Sequence, residues 1–231
     1  MSIIYINPFQ FAAPPVGPTD PYFSNVSLLL HGDGTNGSTT IVDSSPSPKT
    51  VTTFGNLQIS TAQSKFGGAS IAFNGNSYLI AETSSANFST EPFTVELWVY
   101  FNSTNASTTP IVNTYINSNT GWSFSLSNRL LCAAFSGNGI DISTTFQPSL
   151  ATWYHIAMSG QAGASGIRIF VDGIQQGNTY TGAVNFGERA LAIGAVTSLR
   201  LNGYIDDLRI TKGVARYTSN FTPPTAPFPD A

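Results

Sequence analysis

The chain has 231 residues, 41% of them hydrophobic, which is enough for one large domain with a sizeable core. Only 9% are charged and the net charge is -3, which leaves no field for capturing nucleic acid. The single cysteine, Cys132, rules out an internal disulfide and a cysteine-clustered zinc site, and no stretch approaches the ~20 apolar residues of a membrane helix.

In chain order, residues 1–22 come first. Pro8, Pro14, Pro15, Pro18 and Pro21 prevent a regular helix or central strand there. The same stretch carries Ile3, Ile4, Tyr5, Phe9 and Phe11, which a disordered tail would not normally hold. The expectation is an extended docking arm with these five side chains as anchors. The start, "MSIIYINPFQ", lacks the basic and apolar regions of a signal peptide, so a soluble protein made in a reducing cytoplasm is expected, without membrane insertion.

From residue 23 onward, short apolar runs recur between Gly, Asn, Ser and Pro, and helical periodicity is almost absent. "VSLLL" (26–30) begins the series. "ASIAF" (69–73) and "SYLI" (77–80) flank the turn signal "NGN". In "FTVELWVYF" (93–101), Phe93, Val95, Leu97, Val99 and Phe101 form one row, and Trp98 and Tyr100 lie on the other. "GWSFSL" (121–126) puts Trp122, Phe124 and Leu126 on one side and serines on the other. "LLCAAF" surrounds Cys132 with apolar residues, so the thiol reads as buried and inert. "TWYHIAM" (152–158) follows, and "IRIFVDGIQQG" (167–177) is a hairpin turning at Asp172-Gly173. "LAIG" (191–194) and "LNGYIDDLRI" (201–210) complete the set, and residues 218–231 form a Pro-rich tail with Phe221 and Phe228 as candidate anchors. About a dozen strands of this kind predict an all-β fold of two packed antiparallel sheets.

The order "GNSYLI", "FTVELWVYF", "TWYHIAM", "IRIFVDGIQQG", "LAIG", "GYIDDLRI" resembles the concanavalin A-like, laminin-G-like jelly-roll superfamily over about residues 24–215. Two stretches, "LLLHGDGTNGSTTIVDSS" (28–45) and "DDLRITKGVARYTSNFTPPTAPFP" (206–229), are similar to modules of bacteriophage virion proteins of the tail, the fibre and the head decoration. The resemblance implies a jelly-roll sandwich over 23–217, between the docking arm over 1–22 and the Pro-rich tail over 218–231. It implies a non-enzymatic structural protein displayed on a virion that is assembled in the host cytoplasm. Its partners would be capsid or tail proteins and further copies of itself, a trimer by analogy. The alternative is an adhesin for host-surface glycan, with a glycoside hydrolase ranked last.

The superfamily contains lectins and hydrolases alike, so the residues must decide. A hydrolase needs two carboxylates roughly 5–9.5 Å apart. Glu96 stands alone, with Trp98 and Tyr100 where a second acid would be, so no catalytic residue is assigned; Glu96 is expected at a sheet surface, satisfied by Arg or backbone donors. Asp206 and Asp207 would point to opposite faces of a regular strand and could not share one ion. Ile205, Leu208 and Ile210 break strict alternation there, and a bulge would repair it. Asp206, Asp207 and Arg209 are therefore read as a structural signature, the carboxylates accepting orphaned N–H groups or pairing with Arg209 or Arg200. Asp33 and Asp43 lie in Gly/Asn-rich loops that could offer oxygens to calcium, but Ser38 and Ser44 stand where an EF-hand needs Gly and Glu. Asp33, Thr35 and Asn36 are instead read as capping a turn, and no cofactor is expected. Trp98, Tyr100 and Trp122 are candidates for stacking on sugar rings, as is Trp153, if they line an exposed sheet rather than the core.

Overall fold

Strict alternation along residues 93–101 sets the architecture. Phe93, Val95, Leu97, Val99 and Phe101 are all at most 1% exposed and face the core, so Thr94, Glu96, Trp98 and Tyr100 face the other way. The computed structural model describes residues 19–114, 121–134, 140–161, 166–182, 184 and 190–231. The docking anchors Ile3, Ile4, Tyr5, Phe9 and Phe11 lie outside the described residues.

The strands are β1 (Val26–Leu30), β2 (Val51–Phe54), β3 (Gln58–Ser60), β4 (Ser70–Asn74), β5 (Tyr78–Ala81), β6 (Phe93–Ser103), β7 (Thr108–Asn113), β8 (Ser123–Ser127), β9 (Leu130–Ala134), β10 (Ile142–Ser143), β11 (Trp153–Gln161), β12 (Gly166–Val171), β13 (Ile174–Tyr180), β14 (Leu191–Ile193), β15 (Ala195–Val196), β16 (Leu199–Arg200) and β17 (Asn202–Lys212). An eight-stranded sheet runs β13-β12-β11-β6-β17-β4-β3, with β1 also on β17. A seven-stranded sheet runs β10-β9-β8-β7-β14-β5-β2, and β15 and β16 form a small hairpin. The result is an all-β, two-sheet antiparallel jelly-roll sandwich. Its core lies between the sheets, with Leu28, Leu30, Ile205, Leu208 and Ile210 contributed by the eight-stranded one.

β17 is the seam of the larger sheet. Residues Asn202 to Ile205 pair with β4, Leu208 to Thr211 pair with β1, and the register against β6 shifts between Asp206 and Arg209. Asp207 occupies that bulge in the left-handed region, at φ 51°. The bulge returns Leu208 and Ile210 to the core face, as the broken alternation predicts. It also turns Arg209 to the outer face, opposite Glu96 in the register.

The C-terminal tail does not leave the sandwich. It crosses the outer face of the eight-stranded sheet and comes back. Tyr217 and Phe221 stack at 3.5 Å, and Phe221 meets Phe170 and His155 edge-on at 5.4 and 5.7 Å. Its N–H donates to Gly173 O at the β12–β13 turn. Phe228 then packs with Val26, Leu29 and Phe23 in a second, smaller core. The Asp20 N–H donates to Ala231 O at 2.8 Å. Asp20 and Tyr22, placed in the arm on sequence, thus belong to this covering layer.

Candidate functional site

The tail divides the outer face of the large sheet into a covered half and an open half. Under the tail, Glu96 is fully buried rather than at a surface. Its Oε1 accepts hydrogen bonds from Arg209 Nε and Nη2 at 3.0 and 2.8 Å, and its Oε2 accepts one from the Tyr217 hydroxyl at 2.7 Å. His155 Nε2 lies 3.4 Å from Oε2, outside hydrogen-bond geometry. Asp20 accepts from Arg209 Nη1 at 3.0 Å and from Arg216 Nη1 and Nη2 at 2.9 and 2.7 Å. Burial raises the Glu96 carboxyl, but Arg209 and the hydrogen bonds outweigh it and hold it down at about 2. Two carboxylates and two guanidiniums thus balance beneath the tail. Glu96 is a clamped, sealed anion, and its neighbour Asp20 is likewise buried and ion-paired, so neither carboxylate has the access that glycoside hydrolysis requires.

Asp206 and Asp207 diverge across the bulge. Asp206 Oδ2 accepts the Lys65 and Phe66 N–H groups at 2.6 and 3.1 Å. Burial pushes Asp206 up to about 7, those N–H groups pull against it, and the neighbouring Asp207 and Asp33 push further. Asp207 accepts the Phe228 N–H on Oδ2 at 2.7 Å and meets His31 Nδ1 on Oδ1 at 2.5 Å. His31 Nε2 reaches Asp230 Oδ1 at 2.7 Å, so the imidazole pins the returning tail. Burial pulls His31 down, but its two carboxylate partners outweigh it and raise it to about 9. The backbone-satisfying role expected for the aspartate pair is present, but the expected pairing with Arg209 or Arg200 is not, because the bulge hands Arg209 to Glu96 and Asp20.

The calcium candidates separate. Asp43 accepts four hydrogen bonds, from Leu29 N–H, Ser45 N–H, Ser45 Oγ and Lys49 N–H, so its oxygens are committed to the chain around it. Asp33 is exposed at a loop tip against Gly67. Among the described residues, no group of three His, Cys, Asp or Glu side chains is arranged to hold a metal ion.

Two of the three aromatic candidates are not available at the surface. Trp122 is fully buried between the sheets, stacks on Phe88 at 5.7 Å and donates Nε1–H to Ala86 O at 3.3 Å. The alternation of β8 places it inward. Trp98 points outward but is only 5% exposed, because Lys65 Nζ lies 3.8 Å from its ring and Phe66 meets it edge-on. Tyr100 is half-buried and sits on the open half. There it is the middle of a row across three strands. Trp153 on β11 and Tyr204 on β17 are its register partners, with ring centroids at 5.5 and 5.6 Å. Both are half-buried too.

Beside this row lies a groove of about 610 Å³, lined among others by Asn56, Gln58, Asn74, Asn102, Asn202 and Tyr204. Asn56, Gln58, Asn74, Asn102 and Asn202 give it neutral amides that both donate and accept hydrogen bonds. Asn74 comes from the β4–β5 turn, where Gly75 takes the positive φ of 79°. Asn102 Nδ2 donates to Asn202 Oδ1 at 3.3 Å, so these two amides are mutually oriented. Apolar ring faces beside a wall of amides suit a ring that carries hydroxyls. Tyr204 and the asparagines escape sequence reasoning because only strand pairing gathers them. The available signal was that Tyr100, Trp153 and Tyr204 all occupy outward positions of aromatic-rich strands.

The sequence profile of the concanavalin A-like lectin/glucanases superfamily matches residues 73–216, more than half of the chain. The chain belongs to that superfamily. No curated protein sequence matches it. Domain 4 of AbnA, a GH43 extracellular arabinanase from Geobacillus stearothermophilus solved in complex with arabinotriose, is similar with a TM-score of 0.60 at 20% identity, over 82% of this chain and 93% of that one. A structure of botulinum neurotoxin type C, whose uptake by cells depends on interaction with two ganglioside molecules, matches with a TM-score of 0.61 at 15% identity, over 87% of this chain and 49% of that one. The binding domain of botulinum neurotoxin DC in complex with rat synaptotagmin II gives 0.60 at 15%, over 87% and 49%. The chain spans about half the length of these two toxin chains. At such identities the likenesses establish the superfamily's fold, a lectin-like β-sandwich.

Proposed function

We propose that this chain is a non-catalytic, lectin-like module that binds a saccharide on the open half of the large sheet's outer face. The observation that carries this is the half-buried row Trp153–Tyr100–Tyr204 beside the amide-lined groove. The rings supply apolar faces for a pyranose or furanose, and the amides supply paired donors and acceptors for its hydroxyls. The arabinotriose complex of a similar fold supports such use. Glu96 supports a role without chemistry, since it is held ionised by Arg209 and shut off by Tyr217. The test is a glycan array, followed by titration calorimetry on any hit. Tyr204→Ala is expected to weaken binding at least about tenfold, the loss of one stacking platform. Unchanged affinity in Tyr204→Ala, Tyr100→Ala and Trp153→Ala alike rejects this site.

We further infer that the module is displayed on a bacteriophage virion, as a capsid decoration or a tail or fibre component. The support is the similarity of residues 28–45 and 206–229 to virion modules. In this setting the arm with Ile3, Ile4, Tyr5, Phe9 and Phe11 docks on a capsid or tail protein, the copies form a homo-oligomer, and the ligand is host-surface glycan. Removing residues 1–18 is expected to abolish incorporation into particles, and normal incorporation would reject the docking role.

A further inference from the structure

Arg200 is held differently from the two arginines beneath the tail. Arg209 and Arg216 are each gripped by acids. Arg200 forms an ion pair with no carboxylate among the described residues. Its guanidinium lies over the Tyr78 ring at 4.5 Å, and Tyr78 is itself stacked on Phe54 at 4.6 Å with the planes 7° apart. Its Nη1 donates to Thr197 O and Leu199 O at 2.7 and 2.8 Å. The stack and the two carbonyls fix the plane of the guanidinium. They leave the Nε and Nη2 hydrogens without a protein partner among the described residues.

Arg200 is one of the residues lining a recess of about 280 Å³, whose other walls include Ser103, Asn105, Ser198 and Asn202. No acid lines it. Ser103 Oγ already accepts from Asn202 Nδ2 at 3.0 Å, so its own hydrogen is free to be donated. Asn202 lines this recess and the amide groove alike, so the two spaces adjoin at one side chain. One fixed cation, several hydroxyl and amide donors and no competing carboxylate make a place for an anion one wall away from the sugar platform.

We propose that the saccharide recognised on this face carries a carboxylate, as uronic and sialic acids do, and that Arg200 receives it. This rests on the saccharide-binding reading of the Trp153–Tyr100–Tyr204 row and narrows it to acidic glycans. The planar fork of Arg200 takes a carboxylate through two parallel hydrogen bonds, and the preset plane lowers the ordering cost. The neutral groove then reads the hydroxyls of the neighbouring ring.

The experiment uses the full chain on an array of galacturonate-, glucuronate-, mannuronate- and sialate-containing oligosaccharides, each printed beside its methyl ester. The acid of at least one pair is expected to bind about tenfold more tightly than its ester, with the preference shrinking as salt is raised. Arg200→Gln, with unchanged thermal unfolding, is expected to remove the preference and leave ester binding in place. Tyr204→Ala is expected to weaken acid and ester together. Equal binding of acid and ester in every pair, or a preference that survives Arg200→Gln, overturns the Arg200 assignment while leaving the saccharide site standing. Binding to neither member of any pair overturns the acidic-glycan assignment, and the saccharide site is then decided by neutral glycans printed on the same array.

Discussion

Glu96→Gln is the sharpest perturbation of this fold. The wild-type cluster of Glu96, Asp20, Arg209 and Arg216 is neutral, and the substitution leaves it with one uncompensated positive charge under the tail. The carboxyl is held at about 2, against an ordinary value of 4.5, which corresponds to about 3 kcal/mol of stability at neutral pH. Breaking a buried ion pair by removing one partner costs about 3–5 kcal/mol, so the two routes agree. The sign fixes the pH window. A carboxyl depressed by folding stabilises above its unfolded value, and that contribution drains away as pH falls from about 4.5 to about 2. Urea unfolding of wild type and variant is therefore expected to differ by about 3 kcal/mol at pH 7 and to converge toward pH 2. Glu96→Met combined with Arg209→Met restores neutrality, with Asp20 and Arg216 still paired, and is expected to cost less than Glu96→Gln alone. A Glu96→Gln protein within about 1 kcal/mol of wild type at pH 7 would refute the account of Glu96 as the anchor of the covering layer.

Phe228→Ala empties the small core formed with Val26, Leu29 and Phe23, and should cost about 3 kcal/mol and speed protease cleavage within residues 218–227. His31 stands at about 9 in the fold against an ordinary 6.5, so its contribution is complete below pH 6.5 and is lost as pH rises through 9. Unfolding midpoints between pH 6 and 10 should show that loss in wild type and not in His31→Asn, and parallel curves would refute it. Deleting residues 1–22 removes Asp20 and should cost about 3 kcal/mol or more in urea unfolding, because Arg216 and Arg209 lose the carboxylate they share.

Local periodicity made most of the sandwich legible. The inward row of β6, the inward aromatics of β8 and the Asp172-Gly173 turn all follow from side-chain alternation and turn chemistry, which need no knowledge of partners. Even the bulge at Asp207 was visible, because Leu208 and Ile210 could reach the core only if the strand gained a residue. What escaped depends on contacts between residues far apart in the chain. Arg209 lies two residues after Asp207 yet serves Glu96, 113 positions away, because the bulge redirects it. Trp98, Tyr100 and Trp122 look alike as sequence. Their exposure is set by the 65–66 loop, the open half of the face and the opposing sheet respectively. The amide groove was illegible for the same reason, since its asparagines come from separate turns and strand ends that only the register collects.

The hydrogen bond from the Asp20 N–H to Ala231 O has a mechanical consequence. It brings residues 20 and 231 to one spot. A polypeptide attached ahead of residue 20 and one attached beyond residue 231 would leave from the same point. The sandwich could then be spliced into an exposed loop of another protein without stretching either junction, or circularly permuted through a short joint. That point lies near the Glu96 end of β6, while Tyr100 stands roughly 13 Å further along the strand, four residues on. A tether there would act as a swivel, carrying the load at one end of the face and leaving the other end clear to meet its target.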